Sequence, residues 1–157
     1  MAIEIRPVTE PDIREFITWR YDPPYDGYNI TGDPEELITY FMLATVDCHA
    51  LVGGEELIGF CTFGSDAQVP GGDYFQNHLD VGLGIRPDLT GLGNGASYVE
   101  AVVDHALTKQ STLRVTIARK NRRAIRVWKA NGFRLTQQFE SPSEVMGTRE
   151  FSIYTRV

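Results

Sequence analysis

Three glycines fall at alternate positions in Thr90-Gly91-Leu92-Gly93-Asn94-Gly95-Ala96. The apolar run Leu79–Ile85 precedes this stretch, and an amphipathic run from Ser97 to Leu107 follows it. The order predicts a strand, a glycine turn and a helix. Such a turn lets the main chain approach a ligand closely, and the first turn of the helix offers N–H groups without an intrahelical partner. Together with the positive end of the helix dipole they favour a phosphate or pyrophosphate.

Two phosphate motifs fit poorly. A Rossmann fingerprint needs Gly-x-Gly-x-x-Gly early in a βαβ unit, with an acid about twenty residues on. Here the spacing is Gly-x-Gly-x-Gly in mid-chain, and Val115–Arg119 supplies no acid. A Walker A loop ends in Gly-Lys-Ser/Thr, which is missing.

Other groups could carry acid–base work. Asp80 and His78 stand at the start of the strand before the turn. His49 follows Cys48, but neighbouring strand residues point to opposite faces, so the pair is no dyad. His105 falls on the polar side of its helix and is expected to be solvated. Cys48 and Cys61 show no metal spacing and read as buried free thiols; no metal site is expected. No serine sits in a nucleophile elbow.

These groups need elements to position them. Ile3–Val8 alternates as a strand, and Thr9 with Asp12 resembles a capping box opening a helix that ends before Asp22-Pro23-Pro24. Tyr21–Gly32 is a loop rich in tyrosine. Asp33-Pro34-Glu35-Glu36 is a helix start, with the helix running to about Leu43. Cys48–Val52 and Leu57–Gly64 form a hairpin around Gly53-Gly54-Glu55-Glu56. Ser65–Asn77 is a long loop, a length more often functional than idle. Strand Thr112–Ala118, helix Asn121–Ala130 with its Asn131-Gly132 stop, and strands Phe133–Phe139 and Arg149–Arg156 complete the chain, with an irregular stretch between the last two. The order predicts a mixed sheet flanked by helices.

The chain has 157 residues, enough for one domain, residues 1–157, with a sizeable core. The net charge of −6 argues against nucleic acid as a partner and tolerates a cationic or amine ligand. The start shows no basic-then-apolar leader, and no apolar run reaches the ~18 residues that span a bilayer, so a cytoplasmic protein without a membrane partner is expected.

With both flanks in view, the sequence resembles the GNAT N-acetyltransferase family. The family's pyrophosphate loop reads Gln/Arg-x-x-Gly-x-Gly/Ala, matched here by Thr90, Gly93 and Gly95 after Ile85-Arg86-Pro87. A second family motif, Asn-x-x-Ala-x-x-x-Tyr followed by Gly-Phe, is matched by Asn121, Ala124, Trp128 and Gly132-Phe133. The strand Asp80-Val81-Gly82-Leu83 is similar to the Glu-Ile-Gly-Tyr strand of ribosomal-protein alanine and aminoglycoside-type acetyltransferases. The resemblance covers nearly the whole chain.

It implies an α/β fold: a central, mostly antiparallel sheet of about seven strands flanked by about four helices. It also implies acetyl-CoA as co-substrate. Main chain at Leu83, Gly84 and Ile85 would pair with the pantetheine arm. The loop Thr90, Gly91, Leu92, Gly93, Asn94, Gly95 and Ala96 would hold the pyrophosphate. Asn121 would bond the cofactor arm, with Trp128 on the helix beside it. Asp80 would be the base or the amine-orienting group. Thr90 stands where the family has Arg or Gln, and Trp128 where it has the Tyr that often protonates the leaving thiolate. Indole cannot do that.

The acceptor site is expected in the loops least like the family, with Tyr25, Asp26, Tyr28, Asp73 and Tyr74 as wall and cation-attracting groups. The implied function is direct acetyl transfer to an amine, on a small molecule or a peptide N-terminus, without a covalent enzyme intermediate. The alternative is a coenzyme A-binding protein of the same fold without catalysis. A monomer or a homodimer is expected, since the strands of Phe133–Val157 could pair between chains.

Overall fold

Alternating apolar residues make the strands, and the helices bury one stripe each. The computed structural model describes residues 2–157. Strand β1 (Ile3–Pro7) leads to helix α1 (Glu10–Phe16) and α2 (Pro34–Phe41), then β2 (His49–Gly53), β3 (Glu56–Phe63) and β4 (Leu79–Ile85). Helix α3 (Gly95–Leu107), β5 (Leu113–Ala118), α4 (Arg122–Ala130), β6 (Arg134–Val145) and β7 (Thr148–Arg156) follow. The seven strands form one sheet in the order β1-β2-β3-β4-β5-β7-β6. Every pairing is antiparallel except β4 with β5, which is parallel and holds at only two positions, Leu79–Leu113 and Asp80–Arg114. Beyond Asp80 the two strands diverge.

Each helix start has its local cause. The Asp33 carboxylate accepts from Glu36 N at 3.0 Å, as the acid-proline signature predicts. Asp12 reaches back to Thr9 N at 2.8 Å and also pairs with Arg6 at 2.7 Å, tying α1 to β1. Helix α1 ends at Phe16, sooner than the run to Asp22 suggested.

Helices α3 and α4 cover one face of the sheet over Leu51, Ile58, Val81, Val102, Leu113 and Trp128. Helices α1 and α2 cover the other face of its first half over Ala50, Val52 and Leu57. The loop after β3 covers Phe151 and Ile153 through Val69.

Two expectations are corrected. The stretch after Phe139 is not irregular: β6 continues to Val145 and returns through Met146-Gly147. The pairing slips between Glu140 and Val145, and because β6 is a sheet edge it tolerates Pro142 there. His105 is half-buried rather than solvated. Its Nε2 is buried without a hydrogen-bond partner, and its ring lies 4.8 Å from that of His49, centroid to centroid. Both cysteines are buried and free, and burial pushes the Cys48 thiol up to about 12.

Candidate active site

The divergence of β4 from β5 creates the site. Asp80 O accepts from Gly64 N at 2.8 Å, and Arg86 N donates to Ile58 O at 2.9 Å, so the even-numbered residues of β4 turn their main chain toward β3. Leu79 N donates the other way, to Thr112 O at 3.0 Å. By strand alternation, Leu83 and Ile85 present their N–H and C=O groups to the side where β5 has departed. Such groups need partners, and an extended amide ligand can supply them. Gly84 faces β3 instead, and a Cβ there would lie 2.5 Å from the Phe60 ring.

The glycine turn follows at the end of β4. Gly91 (φ 73°) and Gly93 (φ 84°) occupy the left-handed region, which side chains resist. Gly95 does not. It is the first residue of α3, and a Cβ on it would press on Val127 of α4 at 3.1 Å. Ser97 N is the first amide of α3 to be bonded, to Asn94 O at 3.1 Å. Among the described residues no hydrogen bond uses the N–H groups from Gly91 to Ala96. The Thr90 hydroxyl donates back to Pro87 O at 2.7 Å and so closes the turn before the loop. Neither α3 nor α4 has an acid in its first turn. Main-chain donors with no competing carboxylate are the chemistry that could hold an anion.

Asn121 is the N-cap of α4: its Oδ1 accepts from Ala124 N at 3.1 Å, and its Nδ2 donates to the Tyr28 hydroxyl oxygen at 3.0 Å. Burial raises the Tyr28 phenol above its ordinary value, which keeps it protonated at neutral pH; the Asn121 bond offsets part of this. From the same loop, Tyr21 donates to Ile85 O at 2.7 Å, and burial pushes its phenol up to about 12. Tyr21 N bonds Asn29 Oδ1 at 2.7 Å, closing the loop on itself. This loop therefore straddles the gap, with one tyrosine on β4 and the other on α4. Gly27 lies where a Cβ would meet Met146 O at 2.2 Å, so the β6–β7 hairpin abuts it.

Trp128 is only 4% exposed and packs edge-on against Phe133 at 5.0 Å. It packs as a core residue on the inner face of α4. Asp80 lies in a buried polar cluster. It is 4% exposed, and its carboxylate accepts from Arg114 Nε at 2.6 Å, Arg114 Nη2 at 2.8 Å and Gln68 Nε2 at 2.8 Å. These bonds use three of the carboxylate's four lone-pair positions and tie it to a buried guanidinium, which leaves it poorly placed to take a proton from an amine. Arg114 is equally buried, and the Asp80 bonds hold it charged against desolvation. His78, two residues before Asp80, is half-buried, with its Nδ1 buried and without a hydrogen-bond partner.

The five expected acceptor residues fall into two groups. Tyr25, Asp26 and Tyr28 sit on the loop over α4, with Asp26 exposed. Tyr74 instead anchors the Asp80–Arg114 cluster: its hydroxyl meets Thr116 Oγ1 at 2.8 Å and its ring lies 4.9 Å from the Arg114 guanidinium. Exposed Asp73 accepts from Phe75 N at 3.0 Å. No hydrogen bond among the described residues joins the two groups. Sequence reasoning missed Arg114 and Arg123. Arg114 carried no local signal. Arg123 lies inside the Asn121–Ala124 motif, where its charge beside a phosphate loop could have marked it.

A diverging parallel strand pair, a glycine loop and an asparagine-capped helix behind it are the geometry of an acyl-coenzyme A fold. The family model of the acetyltransferase (GNAT) domain matches residues 2–134, and the chain belongs to that family. Among solved structures, a spermidine N-acetyltransferase chimera from Vibrio cholerae SpeG and hSSAT superposes with a TM-score of 0.79 at 13% identity, over 100% of this chain and 96% of that one. The Vibrio cholerae spermidine N-acetyltransferase in complex with CoA and spermine gives 0.74 at 14% identity, over 98% and 94%. A GNAT-family acetyltransferase from Streptococcus pneumoniae gives 0.66 at 14%, over 99% and 98%. At such identities the likeness shows the fold alone. No curated protein matches the sequence. Among the described residues no helix is long and apolar enough to cross a membrane.

Proposed function

We propose that this chain, as one domain over residues 1–157, transfers acetyl from acetyl-CoA directly to an amine. The observation that carries this is the main chain of Leu83 and Ile85, directed into a gap that ends at the glycine loop, where, among the described residues, only the Ile85 carbonyl has a partner, the Tyr21 hydroxyl. The pantetheine amides would complete β4 as an added strand, and the pyrophosphate would sit on the N–H groups of Gly91–Ala96.

The thioester then lies beside the loop that carries Tyr21 and Tyr28, where the acceptor enters. The amine nitrogen attacks the carbonyl carbon, and the C–S bond breaks as the C–N bond forms. With Asp80 committed to Arg114, the amine proton passes to water. The thiolate leaves without a donor from Trp128, which a thiol pKa of ~8.5 allows. Exposed Asp22 and Asp26 and the net charge of −6 favour a cationic acceptor. The relative bound to spermine is one such case, and a peptide N-terminus is another.

Thermal shift with acetyl-CoA, followed by thiol release against a panel of polyamines, small amines and peptides, tests the reading. Stabilisation and release with an amine are expected. Stabilisation without release on any acceptor would leave a coenzyme A-binding protein instead, and no stabilisation would end both readings. Asp26→Asn should raise the KM of a cationic acceptor severalfold, and an unchanged KM would remove Asp26 from the site.

A further inference from the structure

Arg123 stands between the two halves of the site. A Cβ built on Gly91 would lie 2.9 Å from Arg123 Nη1, so the guanidinium fills the space beside the loop that a side chain at 91 would take. Its other face lies over the Tyr25 ring, with Cζ 4.3 Å from the ring centroid. No carboxylate pairs with Arg123 among the described residues. Arg122 and Arg126 on the same helix also lack an acidic partner among those residues, and what sets Arg123 apart is its place between Gly91 and the Tyr25 ring. A half-buried guanidinium stacked on an aromatic ring and lacking an anion is held in place with its donors uncommitted.

The loop it touches lacks a cation of its own. Position 90 offers a hydroxyl, and that hydroxyl is spent on Pro87 O. Arg123 is two residues past the Asn121 cap, so the same helix start that fixes Tyr28 also fixes this charge. The turn Asp26–Tyr28 separates Tyr25 from the Tyr28–Asn121 bond. One short segment is therefore pinned to α4 at both ends, by a ring on Arg123 and by a phenol on Asn121.

We propose that Arg123 is a two-sided positioning residue: it supplies the cation of the phosphate loop and, through Tyr25, couples cofactor binding to the order of the acceptor loop. This rests on the coenzyme A reading above. An anion on the loop draws the guanidinium into a fixed geometry, and the Tyr25 ring packed on it becomes fixed with it. Linkage is reciprocal, so a loop held by Tyr25 also presents Arg123 better to the phosphates.

The experiment measures the Kd of coenzyme A and of pantetheine, which has no pyrophosphate, for the wild type, Arg123→Gln, Arg123→Lys and Tyr25→Leu. Amide hydrogen exchange of residues 21–29 is followed with and without coenzyme A. Arg123→Gln should weaken coenzyme A at least about tenfold while leaving pantetheine unchanged, as loss of a charge-assisted contact requires. Arg123→Lys should recover part of that affinity but not the stacking. Coenzyme A should slow exchange in 21–29 in the wild type, and this protection should be lost in Arg123→Gln and in Tyr25→Leu. Equal loss for coenzyme A and pantetheine would overturn the proposal, as would undiminished protection in the variants. A wild type that binds no coenzyme A would instead overturn the functional reading beneath it.

Discussion

Asn121 holds two parts of the chain with one side chain: its oxygen caps Ala124 N at 3.1 Å, and its nitrogen reaches the Tyr28 hydroxyl at 3.0 Å, 93 residues away in sequence. The amide orientation is thereby fixed, because only the oxygen can accept from the helix and only the nitrogen can donate to the phenol oxygen. The residue that opens α4 also anchors the loop that borders the gap between β4 and β5.

The two roles can be separated. Tyr28→Phe removes the phenol hydroxyl and leaves the cap intact, so its Tm should stay close to wild type while the acceptor KM rises. Asn121→Ala should lose the cap as well, at about 1 kcal/mol. Thermal melts beside acceptor kinetics check both, and equal Tm losses in the two variants would contradict the division.

Asp80 should behave as half of a buried ion pair rather than as a base. Asp80→Asn leaves the Arg114 charge buried with a weakened partner and should destabilise by about 3 kcal/mol. Arg114→Met added to it should restore part of that stability, because the uncompensated charge is gone. Below its melting temperature Asp80→Asn should keep the acid limb of the pH–rate profile; loss of that limb alone would return Asp80 to the role of base.

The glycine loop offers a cleaner test of the anion site. Nothing lies within 4 Å of a Cβ built on Gly93, so a side chain there meets no protein atom. Its φ of 84° still makes Gly93→Ala cost about 1 kcal/mol. Gly93→Glu should fold at a similar cost yet abolish coenzyme A binding, since it sets a carboxylate where the phosphates sit. Calorimetric titration reads this directly, and retained affinity in Gly93→Glu would move the phosphates elsewhere.

His105 sets a pH dependence of stability. Burial lowers its pKa below the usual value, with the charges of His49 and Lys109 adding to the effect and Asp47 opposing it. The unfolded chain takes up the proton near pH 6.5 and the folded one resists it, so the unfolded state binds more protons in that range. Stability should therefore fall as the pH drops below about 6.5, and His105→Asn should flatten this fall. Urea midpoints at pH 7.5 and 5.5 for both proteins check the sign.

What could be read in the sequence was what neighbours decide. The Asp33-Pro34 start, the Asn131-Gly132 stop and the strand Leu79–Ile85 depend on spacing within a few residues, and each lies where the pattern put it. The glycine loop was legible for the same reason, as was Asn121, whose cap contact is three residues long. The end of β6 was not, because Pro142 reads as a break until the strand is known to lie at the sheet edge.

The sequence by itself thus determined the family, most of the element order and the glycine turn between β4 and α3. Tertiary structure decided what each polar group is free to do. Asp80 and His105 carry the same side chains wherever they sit, but Arg114, 34 residues from Asp80, makes one half of a buried ion pair, and His49 packs against the ring of the other. Arg123 acquires its place between Gly91 and Tyr25 only when α4 packs behind the loop. Such partners are chosen by strand order and helix docking, which bring distant residues together, and local propensity carries no record of that choice.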